Sequence, residues 1–128
     1  MKRALLTLIT FCLMITTGYA ADIQVQRATG GVALASTLAP GHSFELLEVN
    51  LHLGAASATA ENFTATVDAY GGAAYDVVIY SKDMNTITNV VWRPEPNLIF
   101  SATDEIDFAW ANTNTETYGL EIRYRRIQ

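Results

Sequence analysis

Four oxygen-bearing side chains in the last quarter of the sequence are candidate calcium ligands: Asp104, Asp107, Asn112 and Asn114. Calcium takes six to eight oxygen ligands, and loops at one end of a β-sandwich can supply them, although the spacing here matches no EF-hand loop. Asp and Asn also cap turns by bonding to their own backbone, which is the commoner role of such residues. The sequence therefore favours turn capping, with calcium as the cofactor that these residues could bind.

Groups suited to nucleophilic or acid–base catalysis are scarce. Cys12 is the only cysteine, the two histidines are His42 and His52, and there is no Gly-x-Ser-x-Gly motif. His52 shares one phase of an alternating stretch with Glu48 and Asn50. A closed metal site needs three or four converging ligands, and this stretch offers fewer good ones. The sequence predicts a protein without enzymatic activity.

Aromatic side chains offer a binding chemistry, because their faces can stack on sugar rings. Such a platform could be formed by Trp92, Trp110, Tyr70, Tyr80 and Tyr118, of which Trp92, Tyr80 and Tyr118 are the candidate ligand-binding residues. Trp92 ends an apolar run at positions 90–92, and a strand that is apolar on both faces is either central or covered by a partner. Tyr80 is opposite in phase to Ile79 and could face solvent. The alternative is burial, the ordinary way in which aromatic residues fill a core.

Three of the eight basic residues stand together near the C-terminus, as Arg123, Arg125 and Arg126. Arg123 and Arg125 share one phase of an alternating stretch, and such a basic stripe on an acidic chain could pair with an acidic patch on a neighbouring subunit. These arginines and Trp92 are therefore candidate assembly residues. The alternative is edge protection, because charged side chains discourage unwanted pairing at an exposed sheet edge.

Residues 1–20 have the pattern of a secretory signal peptide. A basic start at Lys2 and Arg3 precedes a dozen mostly apolar residues, and Gly18 and Ala20 form a small-x-small cleavage site. The apolar segment is shorter than the roughly 20 residues that a membrane-spanning helix needs, which favours cleavage over the alternative of a retained N-terminal anchor. Its removal would leave residues 21–128 with 6 basic and 13 acidic residues and a net charge of −7. We expect a secreted, periplasmic or cell-surface protein with no stable membrane span and no affinity for nucleic acid, which selects basic surfaces.

Alternation of apolar and polar residues predicts about eight short strands in residues 21–128, separated by turn signals. The predicted strands lie near positions 23–27, 31–38, 44–53, 63–69, 75–81, 87–92, 106–110 and 120–124, and positions 98–100 form a short apolar run. Lys82–Asn85 and Asn112–Thr115 are predicted loops or turns, and Pro94 and Pro96 restrict the segment beside them to a sheet edge or a crossing. Adjacent apolar residues Leu46 and Leu47 predict a β-bulge. The pattern predicts one all-β domain, an antiparallel β-sandwich of jelly-roll type.

About half of the sequence, from Glu61 to Arg125, resembles small β-sandwich proteins of tailed bacteriophages and prophages. The resemblance is carried by Glu61–Asp68, Tyr75–Met84, Val91–Pro94, Asp104–Asn112 and Thr117–Ile122. It implies a virion component or attachment module with no enzymatic activity. We therefore expect an exported structural or interaction module that self-associates or joins other subunits, in a virion if a phage encodes it. A carbohydrate-binding module for a cell-surface glycan, with or without calcium, is the alternative.

Overall fold

A computed structural model describes residues 22–127, which form nine β-strands and one short 3-10 helix. The strands are β1 (Ile23–Gly30), β2 (Leu34–Leu38), β3 (Phe44–Leu53), β4 (Asn62–Asp68), β5 (Val77–Asp83), β6 (Asn89–Trp92), β7 (Leu98–Phe100), β8 (Glu105–Trp110) and β9 (Tyr118–Arg126). The 3-10 helix spans Ala73–Tyr75. Within residues 22–127, no helix is long and apolar enough to cross a membrane. The predicted signal peptide lies outside the described residues.

The strands form two antiparallel sheets packed together as a β-sandwich, which confirms the predicted fold class. The first sheet has the order β1-β9-β3-β6, with β7 also paired to β3, and the second has the order β2-β8-β4-β5. Because β6 and β7 both pair with β3, the nine segments occupy the eight strand positions of a jelly roll. Pro94 and Pro96 lie between β6 and β7, at the sheet edge where proline is tolerated.

The core lies between the two sheets and is built from the inward phase of each strand. In β8, Ile106, Phe108 and Trp110 are all buried, as their alternation predicts. Phe63 of β4 stacks on Phe108, with ring centroids 6.3 Å apart. From the first sheet, Phe44 stacks on Phe100, with centroids 5.1 Å apart. These large rings supply much of the buried apolar surface of a domain whose described residues contain no cysteine.

The predicted bulge in β3 is present. The pairing of β3 with β9 shifts register between Leu46 and Glu48, so that Leu47 is the extra residue. As a result, Phe44 and Leu46 before the bulge and Val49 after it all face the core and are fully buried. Without the extra residue, one of these two sets would point outward, because side chains alternate with a period of two.

Two local predictions were wrong. Tyr75 does not begin β5: Gly72 has a φ of +94°, which turns the chain, and residues 73–75 form the 3-10 helix instead. The stretch predicted as the loop 82–85 is strand as far as Asp83, and Met84 is fully buried. The apolar run ending at Trp92 lies in β6, an edge strand of the first sheet, so the central alternative is excluded and cover by a partner stays a prediction.

Candidate interaction face

The arginine stripe of β9 lies in the middle of a sheet. β9 pairs with β1 on one side and β3 on the other, so the edge-protection interpretation is wrong. Leu120 and Ile122 face the core, and Glu121, Arg123 and Arg125 therefore point to the opposite, outer side. We call this outer surface of the first sheet the arginine face. Arg126 has the inward phase, and it is exposed at the last position of β9.

Carboxylates on the neighbouring strands pair with these arginines. Arg123 lies 2.7 Å from Glu121 and 3.7 Å from Glu48 of β3, and Arg27 of β1 lies 2.8 Å from Glu121. Arg125 binds Glu45 of β3. Strand pairing creates these contacts, since Arg125 stands opposite Glu45 and Arg123 stands opposite Glu48 in the register of β3 and β9. The arginines are thus matched by acids of their own chain.

Glu45 and Glu48 are almost completely covered although they lie on an outer face. Their residues are only 6% and 9% exposed. Glu48 accepts a 2.6 Å hydrogen bond from Asn50 and another from Arg93, which follows β6. The Asn50 amide, followed by the Arg93 guanidinium, lowers the pKa of Glu48 below its usual 4.5. The ionised carboxylate is therefore the stable form at neutral pH, and it links β3 to β9 and to the segment that follows β6.

Aliphatic side chains border the charged centre of the arginine face on both sides. Ile23 and Val25 of β1 are 58% and 44% exposed, and Val91 of β6 and Ile99 of β7 are 50% and 69% exposed. The register places all four on the outer side, because each stands opposite an outward residue of β9 or β3. Four large aliphatic side chains around one face form a candidate interaction surface.

The net charge of the arginine face differs from that of the rest of the molecule. Four of the six basic residues in the described range lie on this face, together with Glu45, Glu48 and Glu121. The face therefore carries a net charge of +1, and the remainder of residues 22–127 carries −8. Among the surfaces that the strands present, this one can approach a second acidic molecule without strong repulsion.

Trp92 and Tyr80 meet, but they stack on each other. Their ring centroids are 4.5 Å apart with an interplanar angle of 21°. Trp92 belongs to β6 and Tyr80 to β5, which are edge strands of different sheets, so the pair closes one side of the sandwich. Burial raises the pKa of Tyr80 above its usual 10.0. Tyr118 lies apart from them, packed edge-to-face on Trp110 at 6.3 Å.

The four candidate calcium ligands do not converge. Asp104 precedes β8 and Asn112 follows it, so the whole strand separates them, a length of roughly 20 Å. Asp104 accepts a hydrogen bond from the Ser101 backbone N–H, and Asn112 uses both ends of its amide on backbone groups. Asp107 accepts from the Thr37 hydroxyl, and Asn114 lies beside Thr59. Within residues 22–127, no three His, Cys, Asp or Glu side chains are grouped so that they could hold a metal ion.

Two tyrosines are strongly exposed, of which Tyr70 was one of the possible platform aromatics and Tyr75 was not a candidate. Tyr70 and Tyr75, in the loop between β4 and β5, are 80% and 69% exposed. The ring of Tyr75 lies so close to Gly71 that a Cβ there would stand 2.8 Å from it. The Asp76 carboxylate accepts a 3.0 Å hydrogen bond from the Ala69 N–H, which fixes the start of the loop. The Gly71-Gly72 pair was the available signal, because a tight turn exposes the side chains next to it.

The fold and this face define an all-β sandwich with an arginine-rich, nearly neutral outer sheet on an acidic body. No protein-family model and no curated protein matches the sequence. Among solved structures, the chain is similar to Drosophila NLP-core, whose crystal structure was described in relation to pentamer formation and histone binding. The TM-score is 0.43 and the identity 13%, over 81% of this chain and 98% of that chain. Likeness at this level supports no argument about the present chain.

Proposed function

We propose that this chain is a non-enzymatic structural or interaction module, exported to the periplasm, the cell surface or the medium. It acts as a subunit of an oligomer or of a virion-like assembly such as a phage decoration or tail. The arginine face carries the proposal: four exposed aliphatic side chains surround a matched charge network on a molecule that is otherwise strongly acidic. The sequence resemblance to phage β-sandwich proteins supports the virion form of the assembly.

Electrostatics explains why a single face would be used. Two bodies of net charge −7 repel each other in most orientations, and the repulsion is weakest where the arginine face is presented. Apolar burial can then drive association, because Ile23, Val25, Val91 and Ile99 leave water when the face is covered. The Arg and Glu side chains in the centre would define the orientation of the partner, since complementary charges contribute mainly to specificity.

Light scattering coupled to size-exclusion chromatography tests the proposal directly. The purified protein, with its N-terminus established by intact mass, is expected to form a dimer or a larger species at micromolar to millimolar concentration. Raising the salt concentration should promote association by screening the repulsion between acidic bodies. A monomer at every concentration and salt level would contradict the proposed function.

A second candidate function, carbohydrate binding, is favoured by the exposed Tyr70 and Tyr75. Their rings could stack on sugar faces while carboxylates accept hydrogen bonds from sugar hydroxyls. A glycan array with and without calcium tests it, using Tyr70→Ala and Tyr75→Ala as variants. Val32→Ala is the matched control, because Val32 is 67% exposed and lies between β1 and β2, away from this loop. Binding that disappears with Tyr70 or Tyr75 supports this function, and an array without binding removes it.

A further inference from the structure

We propose that two copies of this chain pack through their arginine faces about a twofold axis that runs parallel to the strands. This inference rests on the proposed function and specifies its partner and geometry. In such a dimer the same surface is used by both copies, so each residue must suit the residue that the axis places over it. The order of side chains across the first sheet meets this condition.

The outward residues form rows across the strands, and the first row is self-complementary. In the register of the sheet it reads Ile23, Arg125, Glu45 and Ile99. A twofold axis parallel to the strands reverses the order of the strands in the second copy. It therefore places Ile23 of one copy over Ile99 of the other, and Arg125 over Glu45. An aliphatic pair results, and the two intrachain pairs of Arg125 with Glu45 come to lie side by side with opposite charges facing each other. Both contacts occur twice because of the symmetry.

The second row obeys the same rule. It reads Val25, Arg123 and Glu48, followed by Arg93, which binds Glu48 after the end of β6. Reversal places Arg123 over the partner's Glu48, and Val25 over the aliphatic part of the Arg93 side chain. An arginine has five N–H donors, so Arg123, whose side chain is 48% exposed, can keep its own glutamates and place its charge beside the partner's Glu48, which Asn50 and Arg93 already bind.

The other possible twofold axis, perpendicular to the strands, fits poorly. It would place the first row over the row at the opposite end of the sheet, which reads Thr29, Gly119, His52 and Asn89. The isoleucines would then cover polar groups, and Arg125 would cover a glycine. The perpendicular axis does place Glu45 over His52, but the aliphatic, Arg, Glu, aliphatic order of the first row is matched at every position only by the parallel axis.

The size of the face suits a reversible dimer. With strands about 4.8 Å apart and outward residues about 6.8 Å apart along each strand, four strands and four rows cover roughly 500 Å² per copy. The total of about 1,000 Å² is near the lower limit for a specific interface. We therefore expect a dissociation constant in the micromolar range, on the order of 1–100 µM.

Sedimentation velocity on single and double variants tests the geometry. Ile99→Lys and Ile23→Glu each place a charge opposite an isoleucine of the partner, and each should raise the dissociation constant by about tenfold or more. Within its own copy the new lysine lies beside Glu45 and the new glutamate beside Arg125, so neither variant should disturb the fold. The double variant should recover much of the lost affinity, because opposite charges then meet twice across the axis.

Val78→Lys is the matched control, since Val78 is 55% exposed on the outer side of the second sheet and should leave the dimer unchanged. Urea unfolding of each variant confirms that the fold is retained. The inference is overturned if neither single variant raises the dissociation constant, or if the double variant has a higher dissociation constant than both single variants. Either outcome leaves the proposed function intact. A wild-type chain that is always monomeric overturns both.

Discussion

The stacked pair of Trp92 and Tyr80 gives the sharpest test of how this sandwich is held closed. We expect Trp92→Ala to destabilise the protein, because the ring bridges the open edges of the two sheets through its contact with Tyr80. If Trp92 instead served mainly to bind a ligand at the surface, its removal would abolish binding and leave stability almost unchanged. The two roles therefore predict opposite effects on the free energy of unfolding.

The expected size of the effect follows from the burial of the ring. Replacing a fully buried Trp by Ala costs about 3–5 kcal/mol. Trp92 is only partly buried, so we expect about 2–3 kcal/mol, of which about 0.5–1.5 kcal/mol comes from stacking on Tyr80. For a domain of this size the melting temperature should fall by about 10–20 °C.

A double-mutant cycle measured by urea unfolding separates stacking from general burial. Trp92→Ala and Tyr80→Ala should show a coupling energy of about 0.5–1.5 kcal/mol, whereas Trp92→Ala and Tyr118→Ala should be additive within about 0.5 kcal/mol. In Trp92→Ala, the pKa of Tyr80 should also return towards 10.0, because solvent then reaches its hydroxyl. The structural role would be refuted if Trp92→Ala left the free energy of unfolding unchanged, or if the two cycles gave equal coupling energies.

Three further predictions concern the loops, the charge network and the N-terminus. Asn112→Ala should lower the free energy of unfolding, measured in urea, by about 2 kcal/mol, because the buried amide bonds to backbone groups. The loss should be the same in calcium and in EDTA. The folded pKa of Glu48 is lowered, so its stabilisation is present above pH 4.5 and is lost as pH falls through the folded value. In Glu48→Gln, the free energy of unfolding should accordingly fall less than in the wild type as the pH is lowered below 4.5. Intact mass of the exported protein should show Ala21 as the first residue, and retention of residues 1–20 would contradict the signal-peptide prediction.

Most of the fold could be predicted because it depends on local alternation. Ile106, Phe108 and Trp110 repeat at a spacing of two, and burial of one strand face follows from that spacing alone. The adjacent Leu46 and Leu47 break the same rule and indicate the bulge. These signals require only neighbouring residues. Tyr75 was misplaced because its side chain fits the alternation, while the positive φ of Gly72 determines the backbone there.

The candidate site could be predicted only in part, because it depends on which strands are neighbours. Arg123 and Arg125 were identified as an assembly stripe, but their partners Glu45 and Glu48 lie about 80 residues earlier in the chain. Pairing of β9 between β1 and β3 brings them together, and no local pattern specifies that order. The same limitation applies to Trp92, since its contact with Tyr80 crosses from one sheet to the other.

The bulge at Leu47 connects the core of this protein to its outer face. Glu45 and Glu48 are three residues apart, so a regular strand would point one of them inward, where an ionised carboxylate is costly to bury. The extra residue places both outward, opposite Arg125 and Arg123. It keeps the apolar residues before and after it in the core at the same time. A single insertion thus satisfies the packing of one face and the charge matching of the other, which explains the bulge in β3 at this position.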